Sequence, residues 1–411
     1  MSHGPGDILS LIRTNGAVTR ADIQDVTGLS RMTVAQRVDK LLELGLVVEQ
    51  GVGNATGGRR PRYLMFNDAQ AYFVAVTVET RHARAAVTDL AGRILASKST
   101  EVTVANGPQD TLQRIESLIY DLLTQFEQSR DKKPKGSDAE PIEATDKKKH
   151  TADAPNTTET VIAGIGISVP GPVNPRTGRL TQPPLMPGWD NWPIAETISD
   201  TFHTPVLVIN DADAEAVGES SPKDAGEALC YVKVSTGIGM GIVLDGAVYS
   251  GATGGAGDIG HVRIAGHDDA LCQCGAYGCL AAVASGRIVA RELRDLGHDA
   301  SSGHDVNALL ERGDPAATDA VRVAGRTIGR VLATLVCLFN PSVLVLGGDL
   351  ASPALLSGVQ ETIYPLSLPR ATQHLDIRLS TLGYDAGIVG LARLLLNQEY
   401  AAEAVNRRLD D

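Results

Sequence analysis

The chain has 411 residues, 43% of them hydrophobic, 21% charged and 4% aromatic, with a mean hydropathy of -0.03. These values exclude a wholly disordered, collagen-like or membrane-embedded protein and leave room for two or three domains. The formal net charge of -12 would argue against nucleic acid only if it were evenly spread. Residues 1–70 carry 8 basic and 7 acidic side chains, whereas the remainder carries 29 basic and 42 acidic. Between Ser30 and Arg62 the balance is 6 basic to 3 acidic. A locally basic head on an acidic body suits DNA binding, because phosphates respond to nearby charge. No apolar run reaches the roughly 20 residues of a membrane span. The start, Met1-Ser2-His3-Gly4-Pro5-Gly6-Asp7, lacks the basic-then-apolar layout of a signal peptide. A cytoplasmic protein with no membrane partner is expected.

The head, placed at residues 1–68, reads as helices followed by a hairpin. Ile8, Leu11 and Ile12 form a short apolar stripe. Thr19 is positioned to cap a second helix over Arg20–Val26, with Asp22 at the capping-box position. Gly28-Leu29 turns the chain, and Ser30 caps a third helix to about Leu44 that buries Val34, Val38, Leu41 and Leu42. Leu46–Gln50 and Arg62–Phe66 flank a Gly-rich loop as strands. Helix, turn, helix and hairpin make a winged helix-turn-helix. Arg31, Thr33, Gln36 and Arg37 then fall on the exposed end of the recognition helix that Ser30 begins, where they can bond base edges or phosphates. The loop Thr56-Gly57-Gly58-Arg59-Arg60-Pro61-Arg62 puts Gly58 and three arginines, Arg59, Arg60 and Arg62, on a narrow wing suited to a minor groove.

The body, residues 69–411, repeats a strand pattern. Tyr72–Val78, Ala83–Thr88 and Arg93–Ser97 are matched by Ala228–Val234, Met240–Leu244 and Val248–Ser250. Each trio is followed by a strand ending in small residues, Val161–Ser168 and Val343–Leu346. Between them lie helices such as the one striped with Leu112, Ile115, Ile119, Leu122 and Phe126. Duplicated halves with helical crossovers point to a two-lobed α/β protein with a central cleft. Residues 129–160 interrupt the plan with lysine runs, acids and almost no apolar side chains, and are expected to be a disordered insertion. Three of the five cysteines crowd between Cys272 and Cys279, which without an export signal favours metal over disulfides. Cys272, Cys274 and Cys279 with His261 would make a closed Cys3His site for structural Zn2+, with His267 as a competing ligand. Cys230 and Cys337 read as buried bystanders.

Four motifs follow in order: Gly164-Ile165-Gly166-Ile167-Ser168-Val169-Pro170-Gly171-Pro172-Val173, Asn210-Asp211-Ala212-Asp213, Ser235-Thr236-Gly237-Ile238-Gly239-Met240-Gly241, and Gly257-Asp258-Ile259-Gly260-His261 leading to Cys272-Gln273-Cys274-Gly275-Ala276-Tyr277-Gly278-Cys279. The series resembles the ROK family of sugar kinases and sugar-responsive transcriptional regulators across essentially the whole chain. The resemblance implies a winged helix-turn-helix ahead of a two-lobed, actin-like (ribonuclease-H-like ATPase) α/β body. It further implies a sugar pocket at Gly171, Asn210, Asp211, Asp258 and His261, with Asp211 at the position of the kinases' base.

Departures from the family pattern bear on activity. Where the kinases carry a glycine pair that cradles ATP phosphates, this chain has Thr77-Val78-Glu79-Thr80-Arg81-His82, with no glycine and an acid at Glu79. The glutamate expected ahead of Gly-His is Asp258, and a second one expected after Cys279-Leu280 is Ala281. The reading that follows is a repressor of carbohydrate genes, a homodimer or homotetramer without kinase activity. It would bind a double-stranded DNA operator and respond to a small carbohydrate effector. A sugar kinase bearing a DNA-binding head, and a ligand-independent DNA-binding protein, remain as alternatives.

Overall fold

A computed structural model of the protein describes residues 4–15, 17–51, 62–131, 160–221 and 227–410. The head holds helices α1 (Pro5–Asn15), α2 (Arg20–Thr27) and α3 (Arg31–Glu43) and strands β1 (Ala17–Val18), β2 (Val47–Gln50) and β3 (Tyr63–Phe66), in sheet order β1-β3-β2. Thr19 and Asp22 form a reciprocal capping box on α2, and Gly28 closes that helix in the left-handed region at φ 67°. Ser30 Oγ accepts the Thr33 amide at 3.1 Å and starts α3 as the sequence predicts. The core of the head is Ile8, Leu9, Ile12, Ile23, Val34, Val38, Leu41, Val47 and Leu64, all essentially inaccessible. Leu9, not Leu11, completes the stripe of α1, and Leu42 is half-buried rather than buried.

The first lobe contains β4 (Tyr72–Val78), β5 (His82–Asp89), β6 (Ile94–Glu101), α4 (Pro108–Asp131), β7 (Ile162–Val169), the two-stranded β8 (Val173–Asn174) and β9 (Arg179–Leu180), α5 (Ile194–Phe202), β10 (Val206–Asn210) and α6 (Asp211–Glu219). Its sheet runs β10-β7-β4-β5-β6. Strands β4 and β7 bury nearly every residue because helices cover both faces, whereas edge strand β6 alternates half-buried and exposed. Helix α4 presents Leu112, Ile115, Ile119, Leu122 and Phe126 to this sheet and extends to Asp131, so residues 129–131 of the expected insertion are helical. Residues 132–159 lie outside the described residues.

The second lobe contains β11 (Ala228–Val234), β12 (Ile238–Leu244), β13 (Ala247–Val248), α7 (Leu280–Ala284), α8 (Gly286–Asp295), α9 (Gly303–Glu311), α10 (Pro315–Phe339), β14 (Val343–Gly347), α11 (Pro353–Leu366), α12 (Pro369–Thr372), β15 (Asp376–Leu379), α13 (Ala386–Glu399) and α14 (Ala402–Asp410). Its sheet order, β13-β12-β11-β14-β15, repeats that of the first lobe strand for strand. In both, an antiparallel meander is extended by two parallel strands. The repeat is therefore longer than the sequence reading had it, because each lobe adds a short fifth strand, β10 or β15. Cys230 is buried in β11, whereas Cys337 on α10 is exposed, contrary to expectation, because it lies on the solvent side of that helix.

Helices α6 and α13 fill the layer between the sheets. Ala214, Ile388 and Leu391 pack with Ala75 and Ala86 of the first lobe, and Ala216 and Val217 pack with Tyr231 and Val345 of the second. The two helices touch backbone to backbone: a Cβ at Gly218 would lie 1.9 Å from the Ala386 carbonyl oxygen, and one at Gly390 would lie 1.8 Å from that of Ala214. The last helix, α14, packs on the head. Gly6 N donates to Asn406 Oδ1 at 2.7 Å, Lys40 Nζ to the Leu409 carbonyl at 2.6 Å, and Arg13 Nη1 to the Tyr400 carbonyl at 2.8 Å. Phe66 and Phe73 both meet the Tyr400 ring edge-on, at 5.8 and 6.3 Å between centroids. The hydrophobic core of the head thus continues into Leu395 and Val405.

Candidate functional site

Between the lobes lies a cavity of about 130 Å3. Glu79, Gly171 and Asn210 reach it from the first lobe, Asp211 from the start of α6, and Lys233, Asp258 and His261 from the second lobe. All five positions predicted to line a sugar pocket are therefore brought together. Asn210 ends β10 and caps α6: its Oδ1 accepts from Asp213 N at 3.2 Å and its Nδ2 donates to the Gly171 carbonyl at 3.0 Å. That side chain orders the two loops that frame the cavity. Asp211 Oδ1 accepts from Ala212 N at 2.9 Å, and its Oδ2 lies 2.9 Å from Lys233 Nζ. Lys233 also bonds Glu215 Oε1 at 2.5 Å. The sequence reading did not single out Lys233, because a lysine in an apolar strand gives no sign of which carboxylates it will meet.

Electrostatics follow from burial. Burial raises the Glu79 carboxyl, opposed by Lys233 and reinforced by Asp349 and Asp211. Burial, then Asp211 and Asp258, push Asp213 up to about 7. Burial also raises Asp258, against the pull of His261. Across the mouth, Thr80 Oγ1 and Thr236 Oγ1 are 3.3 Å apart and join the lobes. Glu79 thus stands, half-buried and acidic, in the loop where the kinase pattern has glycines. The Ser235–Gly237 loop is pinned from beneath by the Asp349 amide, which donates to Ser235 Oγ at 3.0 Å.

Beside the cavity, the side chains of His261, Cys272, Cys274 and Cys279 offer donor atoms that all lie within 4.8 Å of one another. Cys274 Sγ and Cys279 Sγ are 3.7 Å apart, and Cys272 Sγ and His261 Nδ1 are 3.8 Å apart. A tetrahedral ion about 2.3 Å from each thiolate separates its donors by about 3.8 Å, so the cluster can hold a metal. His267 is not one of the four. His261 belongs to both the cluster and the cavity wall.

On the head, Ser30, Arg31 and Gln36 are exposed, and Thr33 and Arg37 are half-buried. Arg37 Nη1 is buried without a hydrogen-bond partner among the described residues. Arg62 is 58% exposed and makes one ion pair. It stands at the start of the return strand, where its Nη1 donates to Glu49 Oε2 at 2.9 Å, because Glu49 already gathers Arg20 at the foot of the hairpin. Gly58, Arg59 and Arg60 lie outside the described residues. No helix among the described residues is long and apolar enough to cross a membrane.

Comparison with known proteins agrees with this architecture. The ROK family pattern matches residues 139–398, and a pattern described as winged helix-turn-helix DNA-binding matches residues 6–48. The xylose repressor of Bacillus subtilis (strain 168) is 26% identical, over 95% of this chain and 94% of that protein. A glucokinase of Halalkalibacterium halodurans is 30% identical, over 60% of this chain and 79% of the enzyme. The crystal structure of a ROK family transcriptional regulator, a homologue of the Escherichia coli Mlc protein, superposes with a TM-score of 0.76 at 24% identity, covering 98% of both chains. With the family pattern matched over more than half of its length, the chain belongs to the ROK family, and it carries a winged helix-turn-helix ahead of the two lobes.

Proposed function

We propose that this protein is a sugar-responsive DNA-binding repressor without sugar kinase activity. The observation that carries the reading is mechanical continuity. Asp211, at the cavity, begins α6; α6 is locked to α13; α13 leads to Tyr400; and Tyr400 with α14 is built into the core of the head. A ligand that changes lobe closure therefore has a packed route to the DNA-binding unit. On the head, Ser30, Arg31, Thr33, Gln36 and Arg37 face the major groove. Gly58, Arg59, Arg60 and Arg62 supply further contacts to the DNA. Two heads of a homodimer, or pairs within a homotetramer, read the two halves of an operator in the cytoplasm.

In the cleft, Gly171, Asn210, Asp211, Asp258 and His261 bind the carbohydrate effector, Asp211 and Asp258 accepting from its hydroxyls. The Cys3His cluster holds structural Zn2+, which when bound adds folding energy to the loop beside the pocket. Phosphoryl transfer depends on holding phosphates and neutralising their charge. Glu79 in the first phosphate loop opposes both halves of that task, and Ala281 at the sugar side lacks the carboxylate that would grip the acceptor sugar.

Selection of operators from random duplex DNA, followed by a salt titration, tests the head. The variant Arg59→Ala/Arg60→Ala should bind more weakly and with a shallower salt dependence, since fewer counterions are released. Unchanged affinity and slope would remove the wing from the interface. The competing reading, an active kinase with a DNA-binding head, is favoured by Asp211 and the glucokinase relative. Sugar-dependent ATP consumption of about 1 s⁻¹ or more, lost in Asp211→Ala, would establish it.

A further inference from the structure

The floor of the cleft is a buried ion cluster. Lys233 leaves β11 two residues before the Ser235–Gly237 loop, and its ammonium contacts Asp211 Oδ2 at 2.9 Å and Glu215 Oε1 at 2.5 Å. The three side chains are only 10%, 13% and 13% exposed. Asp211 and Glu215 are one turn apart on α6, so both carboxylates leave the same face of the helix and converge on one cation. Glu79, in the turn after β4, lines the cavity beside Lys233 and is a third acid facing it. The next groups out are Asp349 and His82 around Glu79, Tyr231 beside Glu215, and Asp213, whose carboxyl is raised by burial and then by Asp211 and Asp258.

A carboxylate acts as a base only if it can take up a proton. Protonating Asp211 here would leave the ammonium short of a partner in a desolvated site, which is costly. We propose that Lys233 is a positioning residue that ion-pairs the Asp211 carboxylate and so holds it in the cleft as a hydrogen-bond acceptor. The cleft then reads a sugar hydroxyl as a donor and leaves its proton in place. This inference rests on the proposed sugar occupancy of the cleft and assigns a cause, beyond the missing glycines, for silence at the base position. Without Lys233, Glu79, Asp211 and Glu215 would share one desolvated space as like charges, and cannot all stay ionised. Burial already drives Glu79 and Glu215 upward against the attraction of Lys233.

The experiment compares full-length wild type, Lys233→Met and Lys233→Met/Glu215→Gln between pH 6 and pH 8, first without ligand by thermal unfolding. In Lys233→Met the orphaned carboxylates gain raised folded-state pKa values, so their contribution is favourable at low pH and is lost as pH rises. Its unfolding midpoint should fall further below wild type at pH 8 than at pH 6, and the double variant should recover at least half of that pH-dependent gap. A deficit equal at every pH, which lost packing alone would give, overturns the proposal. So does failure of both variants to fold even at pH 6, where protonation should rescue them. The second arm titrates D-xylose and D-glucose by calorimetry. Between pH 8 and pH 6, Lys233→Met should lose about tenfold more affinity than wild type loses, the equivalent of one pKa unit, because Asp213 is present in both proteins. A loss in the variant no greater than in wild type overturns the assignment. If neither sugar binds wild type, it is the sugar-binding reading that fails, and the unliganded arm still decides whether Lys233 fixes the carboxylates.

Discussion

Asp213 lies in the first turn of α6, is 6% exposed, and its Oδ1 has no hydrogen-bond partner among the described residues. Its carboxyl titrates at about 7 in the folded protein, raised first by burial and then by Asp211 and Asp258. A raised carboxyl pKa favours the folded state at low pH, and the advantage disappears as pH climbs through the folded value. Asp213→Asn should therefore raise the unfolding midpoint at pH 8 by about 1–2 °C for each 1 kcal/mol gained in a body this size, and gain less at pH 5. Scanning fluorimetry at the two pH values reads this directly; equal shifts at both would contradict it. Cys272→Ser removes one of four donors from the Cys3His cluster and should abolish stoichiometric zinc in elemental analysis while lowering the midpoint of the body. Retention of one zinc per chain would reassign the ligands. Capping was legible at this scale, since Thr19, Asp22 and Ser30 are local signals read from neighbours in sequence. Lys233 was not, because its meaning depends on Asp211 and Glu215, brought to it by a crossover from another lobe. The ion pair of Arg62 was hidden for the same reason: Glu49 faces it only after the hairpin forms.

At the scale of elements, strand recurrence gave away the duplication, but only four of the five strands in each lobe. Strands β10 and β15 are five and four residues long, too short to show a period, and are recruited by parallel pairing with β7 and β14. The α6–α13 contact was likewise hidden, because a glycine inside a helix signals close approach without naming the partner. It carries a firm prediction. Gly390→Val would drive a side chain into the Ala214 backbone and should destabilise the body by about 1–3 kcal/mol or more, the range for overpacking, lowering the midpoint in thermal unfolding. A midpoint equal to wild type would mean the two helices separate at little cost. The clasp of α14 on α1 follows from neither segment alone, since Asn406 and Gly6 are 400 residues apart. Asn406→Ala should leave the body's midpoint unchanged yet speed proteolysis within the head; equal cleavage rates would show that α14 does not hold it.

Over the whole molecule, charge and mechanics divide the work. A head near neutrality, basic around α3 and the hairpin, sits on a body that carries the acidic excess, so DNA is drawn to one end only. The cleft lies between two copies of one sheet, and the helices that separate those sheets lead to the head through Tyr400. Sugar and DNA are coupled in this account by shared lobe geometry, and linkage requires that each weaken or strengthen the other equally. The most direct test is the affinity of the full-length protein for a selected operator, followed by fluorescence anisotropy while pentoses and hexoses, D-xylose and D-glucose first, are added with MgATP present. The account predicts that one of these sugars changes operator affinity by at least about fivefold with no ATP consumed, and that Asp211→Asn abolishes the change while sugar-free binding persists. An operator affinity that no sugar moves, or sugar-dependent ATP turnover that Asp211→Asn abolishes, would contradict it.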